Sequence, residues 1–305
     1  MKFIMHLTIQ NIKRRRVRTI LTLLGVMIGV VAAVVSLLSL GMGVKRELLQ
    51  GYGDDASIRQ ITVQTPENNQ NKKMLLTDHT IEKLAKLDKV ANVYPRYEVF
   101  TNIQVGQYTA YTNLVGIPSE QLSAIALTDT SSLSEHARKP ELVIGNAMGY
   151  MFFHEGSMTS YQDGKGDLNA WIGEKAKVSL GLDENEITDR LTIAGVMQGD
   201  ADEFSEQSQS IYCDIDVLRA YLKKHAAQGN VLGQPLDKNG NAYTSWVYSS
   251  VVVEVGKMED VEFVVKKLQD MGYQTTNMKE YRDTAMRTVP VSYTHLRAHE
   301  TEADL

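Results

Sequence analysis

Two short segments of this chain set oxygen-bearing side chains at alternate positions, the spacing that a calcium loop uses. Asp163, Lys165, Asp167 and Asn169 form one, and Asp237, Asn239 and Asn241 form the other. The first puts a lysine where a ligand is needed. The second lacks both the sixth-position glycine and a closing glutamate. Both runs are rich in turn-forming residues, and turn chemistry accounts for them. The chain's 7 histidines are scattered with no zinc spacing. Cys213 is the only cysteine, so no intrachain disulfide can form. It lies within Ile211-Tyr212-Cys213-Asp214-Ile215, which reads as the end of a strand and makes it a packed thiol. Asp200 and Asp202 stand in a polar stretch and read as solvated surface. The sequence contains no Gly-x-x-x-x-Gly-Lys-Ser/Thr phosphate loop, no His-Glu-x-x-His and no Gly-x-Ser-x-Gly elbow. The expectation is a protein that is not an enzyme and uses no cofactor or metal, but binds, anchors or transmits motion.

The elements that would position such a protein begin with residues 19–44, which hold no charged side chain. A helix of about 26 residues, at roughly 1.5 Å rise each, is about 39 Å long. That exceeds the ~30 Å hydrocarbon core of a bilayer, and a helix satisfies its own backbone where no water can. Lys13, Arg14, Arg15, Arg16 and Arg18 precede this run, whereas only Lys45 and Arg46 follow it. Positive charge stays inside, so the N-terminus is expected in the cytoplasm and the chain after the run outside. A cleaved secretory signal also starts with a basic stretch, and Ser39-Leu40-Gly41 is a passable cleavage site. The apolar run is nevertheless longer than the roughly 7–15 residues of a signal core. Gly25 and Gly29 form a small-xxx-small pair that lets another helix approach closely.

The charge is unevenly spread. Residues 1–44 carry basic side chains and no acid, whereas residues 45–289 hold 25 basic against 34 acidic groups. The basic part suits membrane lipid with an anionic inner leaflet. The acidic part repels nucleic acid, which is not an expected partner. With 43% hydrophobic residues, the remainder is long enough to be stabilised by its core without disulfides.

Periodicity then gives the order of elements. Residues 1–12 read as a short interfacial helix. Ile58, Ile61, Val63 and Thr65 alternate as a strand, and Thr77-Asp78 starts a helix with Ile81, Leu84, Ala85 and Leu87 at helical spacing. Two strands follow, Val90 to Val99 and Thr101 to Val105, and Gly106-Gln107 turns the chain into Tyr108 to Ile117. Pro118-Ser119-Glu120 opens a short helix. Leu142-Val143-Ile144-Gly145 is a short buried strand, Asn146 to Phe153 a helix, and 154–169 a loop. Trp171 to Leu180 and Asp189 to Met197 read as strands around an acidic turn, Asp183 to Glu186. Ser208 to Cys213 is a strand, Asp216 to Lys224 a helix, and 226–243 a loop. Tyr248 to Val255, Met258 to Met271 and Tyr273 to Asn277 give strand, helix and strand. The first and last thirds each offer strand–helix–strand units around a β-rich middle. The expected fold is α+β, with a large outer domain of two α/β subdomains and a β-rich insertion.

The segment Asn11-Ile12-x-Arg14-Arg15-Arg16-x-Arg18-Thr19-x-Leu21-Thr22-Leu23-Leu24-Gly25-Val26-x-Ile28-Gly29-Val30 resembles the N-terminal signature of MacB/FtsX-type ABC transporter permeases. Leu142 to Phe153, Trp171-Ile172-Gly173 to Met197, Ser210-Ile211-Tyr212 and Val251 to Tyr281 resemble, in order, that family's extracytoplasmic core domain. The resemblance implies a permease in the bacterial cell membrane with four membrane helices, the first followed by the outer domain. It implies a cytoplasmic ABC ATPase subunit and a second permease copy or paralogue as partners. ATP-driven helix closure would move the outer domain, so that efflux or release proceeds by mechanotransmission. The segments are then 1–18 (basic and interfacial), 19–44 (membrane helix), 45–286 (extracytoplasmic domain) and 287–305 (a non-native tail). That last assignment rests on Tyr293-Thr294-His295-Leu296-Arg297-Ala298-His299-Glu300-Thr301, which is polar where the family has a second apolar run and which looks like translated adapter sequence. The alternative expectation is a single-pass, membrane-anchored binding or sensor domain.

Overall fold

The computed structural model describes residues 16–51, 55–66, 74–134, 136–154, 156–181, 186–202, 205–226, 230–237 and 239–280. Two compact units result, and the larger spans Gly51–Thr284. The described part of the smaller, 16–50, belongs to helix α1 (Arg16–Gly51). Its 36 residues make it about 54 Å long. Large apolar side chains stand exposed on every side of it, among them Ile20, Leu21, Val26, Ile28, Val31 and Val35. Among the described residues, no helix is long and apolar enough to cross a membrane. The longest unbroken run of described side chains on α1 is 24–36, so the side chains of the expected span 19–44 are described only in part. The interfacial helix of residues 1–12 lies wholly outside them.

The larger unit opens with a short helix, α2 (Asp55–Ile58), and strand β1 (Gln60–Gln64). Ile61 and Val63 point to one side and are fully buried, as a period of two requires. Helix α3 (Asp78–Ala85) buries Thr80 and Leu84 and stops two residues before Leu87. Thr77 begins it without capping the backbone; its hydroxyl faces that of Thr80 at 3.3 Å. Strand β2 (Val90–Val105) is one strand of 16 residues where the sequence suggested two. It runs on through Phe100 because Tyr97 to Val105 pair without a break with β3 (Tyr108–Ile117). Gly106 supplies the φ of +59° that the turn between them needs. Helix α4 (Ser119–Ala124) follows, then β4 (Leu142–Ile144), β5 (Phe153–His154), β6 (Lys175–Leu180), β7 (Ile187–Val196) and β8 (Ile211–Asp214). Helix α5 (Ile215–Lys224) starts at Asp214, whose carboxylate accepts from the backbone N–H groups of Asp216 and Val217. Strand β9 (Ser250–Val255), helix α6 (Val261–Asp270) and strand β10 (Gln274–Asn277) complete it.

The first and last thirds do not form separate subdomains. Their strands interleave in the order β10-β1-β9-β2, and every neighbouring pair is antiparallel. Two strand–helix–strand units thus share one four-stranded sheet, with the alternate residues Val251, Val253 and Val255 of the central β9 fully buried. The middle of the chain closes on itself instead. From β2 the pairing passes to β6, β7, β4, β8 and β3, and β3 returns to β2. This ring of six strands leaves no open edge among them. Leu114, Leu142, Ile144, Leu191 and Ile211 belong to the main core. Their strand neighbours Val115, Val143 and Tyr212 point the other way, into a second cluster with Ile117 and Leu122 of α4. At Gly116, an added Cβ would lie 3.0 Å from Leu218 of α5. Toward the β2–β3 hairpin, Trp171 stacks on Tyr161 with centroids 4.1 Å apart and meets Phe152 edge-on at 4.8 Å.

Two expected elements take other forms. Residues 146–153 are no helix: only Met148–Tyr150 makes a 3-10 turn. The carbonyls of Gly149 and Phe152 accept instead from Gln162 and Tyr161, so the backbone bonds across to a neighbouring turn. Trp171 ends another 3-10 turn, Leu168–Trp171, and Gly173 at φ +87° separates it from β6. The acidic turn is outside the described residues at 182–185.

Gly145 tests the closure of the ring. A Cβ there would lie 2.2 Å from the Ser208 carbonyl oxygen and 2.9 Å from that of Ser210. Gly145→Ala is expected to destabilise the unit by roughly 1–3 kcal/mol, the cost of overpacking, measured as a lowered urea midpoint with an unchanged m-value.

Candidate functional site

Of the residues expected to set topology, Lys13, Arg14 and Arg15 lie outside the described residues. Arg16 and Arg18 fall on the backbone of the first turns of α1, and their side chains are outside the described residues. Gly25 and Gly29 are on the same helix four residues apart, and a Cβ on either would meet nothing within 4 Å. The described side chains of α1 from 24 to 36 are exposed and uncharged.

The two oxygen-rich loops are spent on their own turns. The Asp237 carboxylate accepts from the N–H groups of Asn239 and Asn241. Asp163 accepts from the Ser160 hydroxyl at 2.7 Å, and Asp167 accepts from the N–H and side-chain amide of Asn169. These are Asx-type turns. No group of three or more metal-ligating side chains is gathered among the described residues. The Asp202 carboxylate accepts from Tyr150, and Asp200 accepts from the N–H of Asp202. Cys213 is fully buried, and burial pushes its thiol well above the ordinary range, so it is no nucleophile.

The sequence reading missed the charge-bearing junction between the sheet and the ring. Arg96, the last β2 residue paired with β9, lies 3.3 Å from the Glu206 carboxylate. Two residues on, Glu98 shares that face. Its N–H donates to the Ser249 hydroxyl at 2.9 Å and its carboxylate accepts from Asn113 at 3.3 Å. Burial raises the Glu98 carboxyl above its usual range, and Glu206 adds to this, while Arg96 and Asn113 act against it. Only the alternation of polar side chains along β2 hinted at this face. A second network ties the ring to α5. Lys139 donates to Asp189 at 2.6 Å, and the Tyr221 hydroxyl donates to it at 2.8 Å. The lysine, foremost, holds the Asp189 carboxyl down at about 2.

The chain matches the family model of the MacB-like periplasmic core domain over residues 19–271. It is 28% identical over 162 residues to the macrolide export ATP-binding/permease protein MacB of Bartonella henselae, an overlap of 50% of this chain and 24% of that protein. The chain thus spans about a quarter of the length of that relative. Two solved structures resemble it. The extracellular domain of the noncanonic ABC-type transporter YknZ from Gram-positive bacteria is matched over 72% of this chain and 98% of that one, at 15% identity and a TM-score of 0.39. The periplasmic region of MacB from Actinobacillus actinomycetemcomitans is matched over 76% and 94%, at 13% identity and a TM-score of 0.42.

The two carboxylates predict opposite pH behaviour. Glu98 has a raised value in the fold, so its contribution is full below the unfolded value of about 4.3 and is lost as pH rises through the folded one. Glu98→Gln is expected to melt above wild type at pH 7.5, with the gap closing toward pH 4. Asp189 is depressed to about 2, so its contribution is present above roughly pH 4 and is lost as pH falls toward 2. Asp189→Asn is expected to melt below wild type at pH 7, with the two curves converging below pH 4. Thermal melts over pH 3–8 measure both.

Proposed function

Because the chain belongs to the MacB-like periplasmic core domain family, we propose that it is a permease-side subunit of an ABC transporter of the MacB/FtsX type. The match starts inside the apolar run and continues through the folded unit, and that single observation carries the reading. Residues 19–44 cross the bacterial cell membrane. The N-terminus lies in the cytoplasm, held by Lys13, Arg14, Arg15, Arg16 and Arg18 against lipid headgroups, and residues 45–286 form the outer domain. The exposed apolar surface of α1 supports this, because it is stable in hydrocarbon and costly in water. The sequence carries no Gly-x-x-x-x-Gly-Lys-Ser/Thr phosphate loop. A cytoplasmic ABC ATPase hydrolyses ATP, and the resulting helix movement is passed to the outer domain for efflux or release of a substrate. A second permease copy packs on the Gly25 and Gly29 face.

Two measurements test this reading. A green fluorescent protein fused to the N-terminus is expected to fluoresce, and alkaline phosphatase fused after Thr284 is expected to be active. Replacing the five basic residues by Gln should reduce both signals, whereas an inactive phosphatase with the native sequence overturns the topology. The open reading frame at the source locus is expected to continue past codon 290 into three apolar segments, and its product to co-purify with an ABC ATPase. A stop at codon 306 with no ATPase co-purifying overturns the transporter reading in favour of a membrane-anchored binding domain.

A further inference from the structure

Strand β2 changes partners at one peptide bond. Residues up to Arg96 pair with β9 alone, and from Tyr97 onward β2 pairs with β3. On the β9 edge, pairing resumes only at Thr101, with β6. Between these points a few bonds stand in for the ladder. The Ser249 N–H donates to the Arg96 carbonyl at 3.1 Å, the Glu98 N–H donates to the Ser249 hydroxyl, and the Gly181 N–H donates to the Phe100 carbonyl at 2.8 Å.

The two faces of β2 differ here. Tyr97 is buried on one face, tilted at 52° against Trp246 with ring centroids 4.8 Å apart, its hydroxyl donating to the Leu232 carbonyl. Gln234 makes two 2.9 Å bonds with the backbone of Val247 beside it. The other face carries charge. Arg96 pairs with Glu206, which belongs to the segment before β8, and its positive charge also acts on Glu98. The Arg96 Nε is buried and unbonded among the described residues, so the guanidinium keeps a donor that another arrangement can satisfy. Glu206 is 73% exposed in its side chain, and an ion pair so placed is weak. A weak pair over a packed aromatic pivot suits a joint that moves.

We propose that the Arg96–Tyr97 step is a hinge between the four-stranded sheet and the six-stranded ring, with the Arg96–Glu206 pair as its latch and Glu98 as a competitor for the same guanidinium. The inference rests on the pairing pattern and stands whether or not the transporter reading does. Spin labels at two exposed positions, Gln274→Cys on the sheet and Lys177→Cys on the ring, report the angle by pulsed electron resonance in the detergent-solubilised full chain. The buried Cys213 is left unlabelled. Glu206→Gln is expected to broaden the distance distribution or add a second population. Glu98→Gln is expected to leave it as narrow as wild type or narrower, because the competitor is gone. An unchanged distribution in Glu206→Gln overturns the latch. Equal broadening in both variants overturns the competition and reduces the cluster to ordinary support. Far-ultraviolet circular dichroism and a cooperative melt establish that each variant folds.

Discussion

The structure depends on β2 belonging to two assemblies at once. Its first seven residues close one edge of the four-stranded sheet, and its last nine are a stave of the ring. Pro95 lies where β2 has a strand partner on one edge only, a position where the missing N–H costs no ladder bond on the free side. Because the strand is continuous, the ring cannot shift relative to the sheet without bending β2 or breaking the few side-chain bonds around Ser249.

The two assemblies are stabilised in different ways. The sheet buries one face against α3 and α6 through Ile61, Val63, Val251, Val253 and Val255; the other carries Gln60, Thr62, Gln274 and Thr276 together with the fully buried Val252. The ring has no free edge among its six strands and fills its inside with Leu and Ile, while α4 covers part of its outside. A closed ring resists edge-to-edge association. An open sheet with a short edge strand such as β10 has less protection, and the polar character of Gln274 to Asn277 serves instead. For an exported domain with no disulfide, these two arrangements supply the stability that a cross-link would otherwise provide.

Function on this reading lies in mechanics rather than in a reactive centre. The oxygen-rich loops satisfy their own backbones, and Cys213 is buried. What is distinctive is an apolar helix with its side chains exposed, joined in sequence to a folded unit that contains a partner-switching strand. A domain that transmits movement needs stiff parts and few joints, and the ring and the sheet are the stiff parts.

Local features follow from the order of residues alone. The charge-free run from Thr19 to Val44, the turn at Gly106 and the alternation Ile61-Val63 are each set by neighbours a few residues away, so they were legible, whereas the cap at Asp214 emerged only from the structure. Helix α3 and the β9-α6-β10 order were legible for the same reason. Tertiary structure alone decided the rest. Period-two patterning says which face of a strand is buried but not which strand lies beside it, so neither the interleaving of β1 with β9 nor the closure of the ring could be read. Asn146 to Phe153 has helical spacing, yet its carbonyls found donors at Tyr161 and Gln162. Arg96, Glu98 and Glu206 look like unrelated surface charges in the chain. Two of them are 110 positions apart, and only the fold that brings β2 past the start of β8 makes them one site.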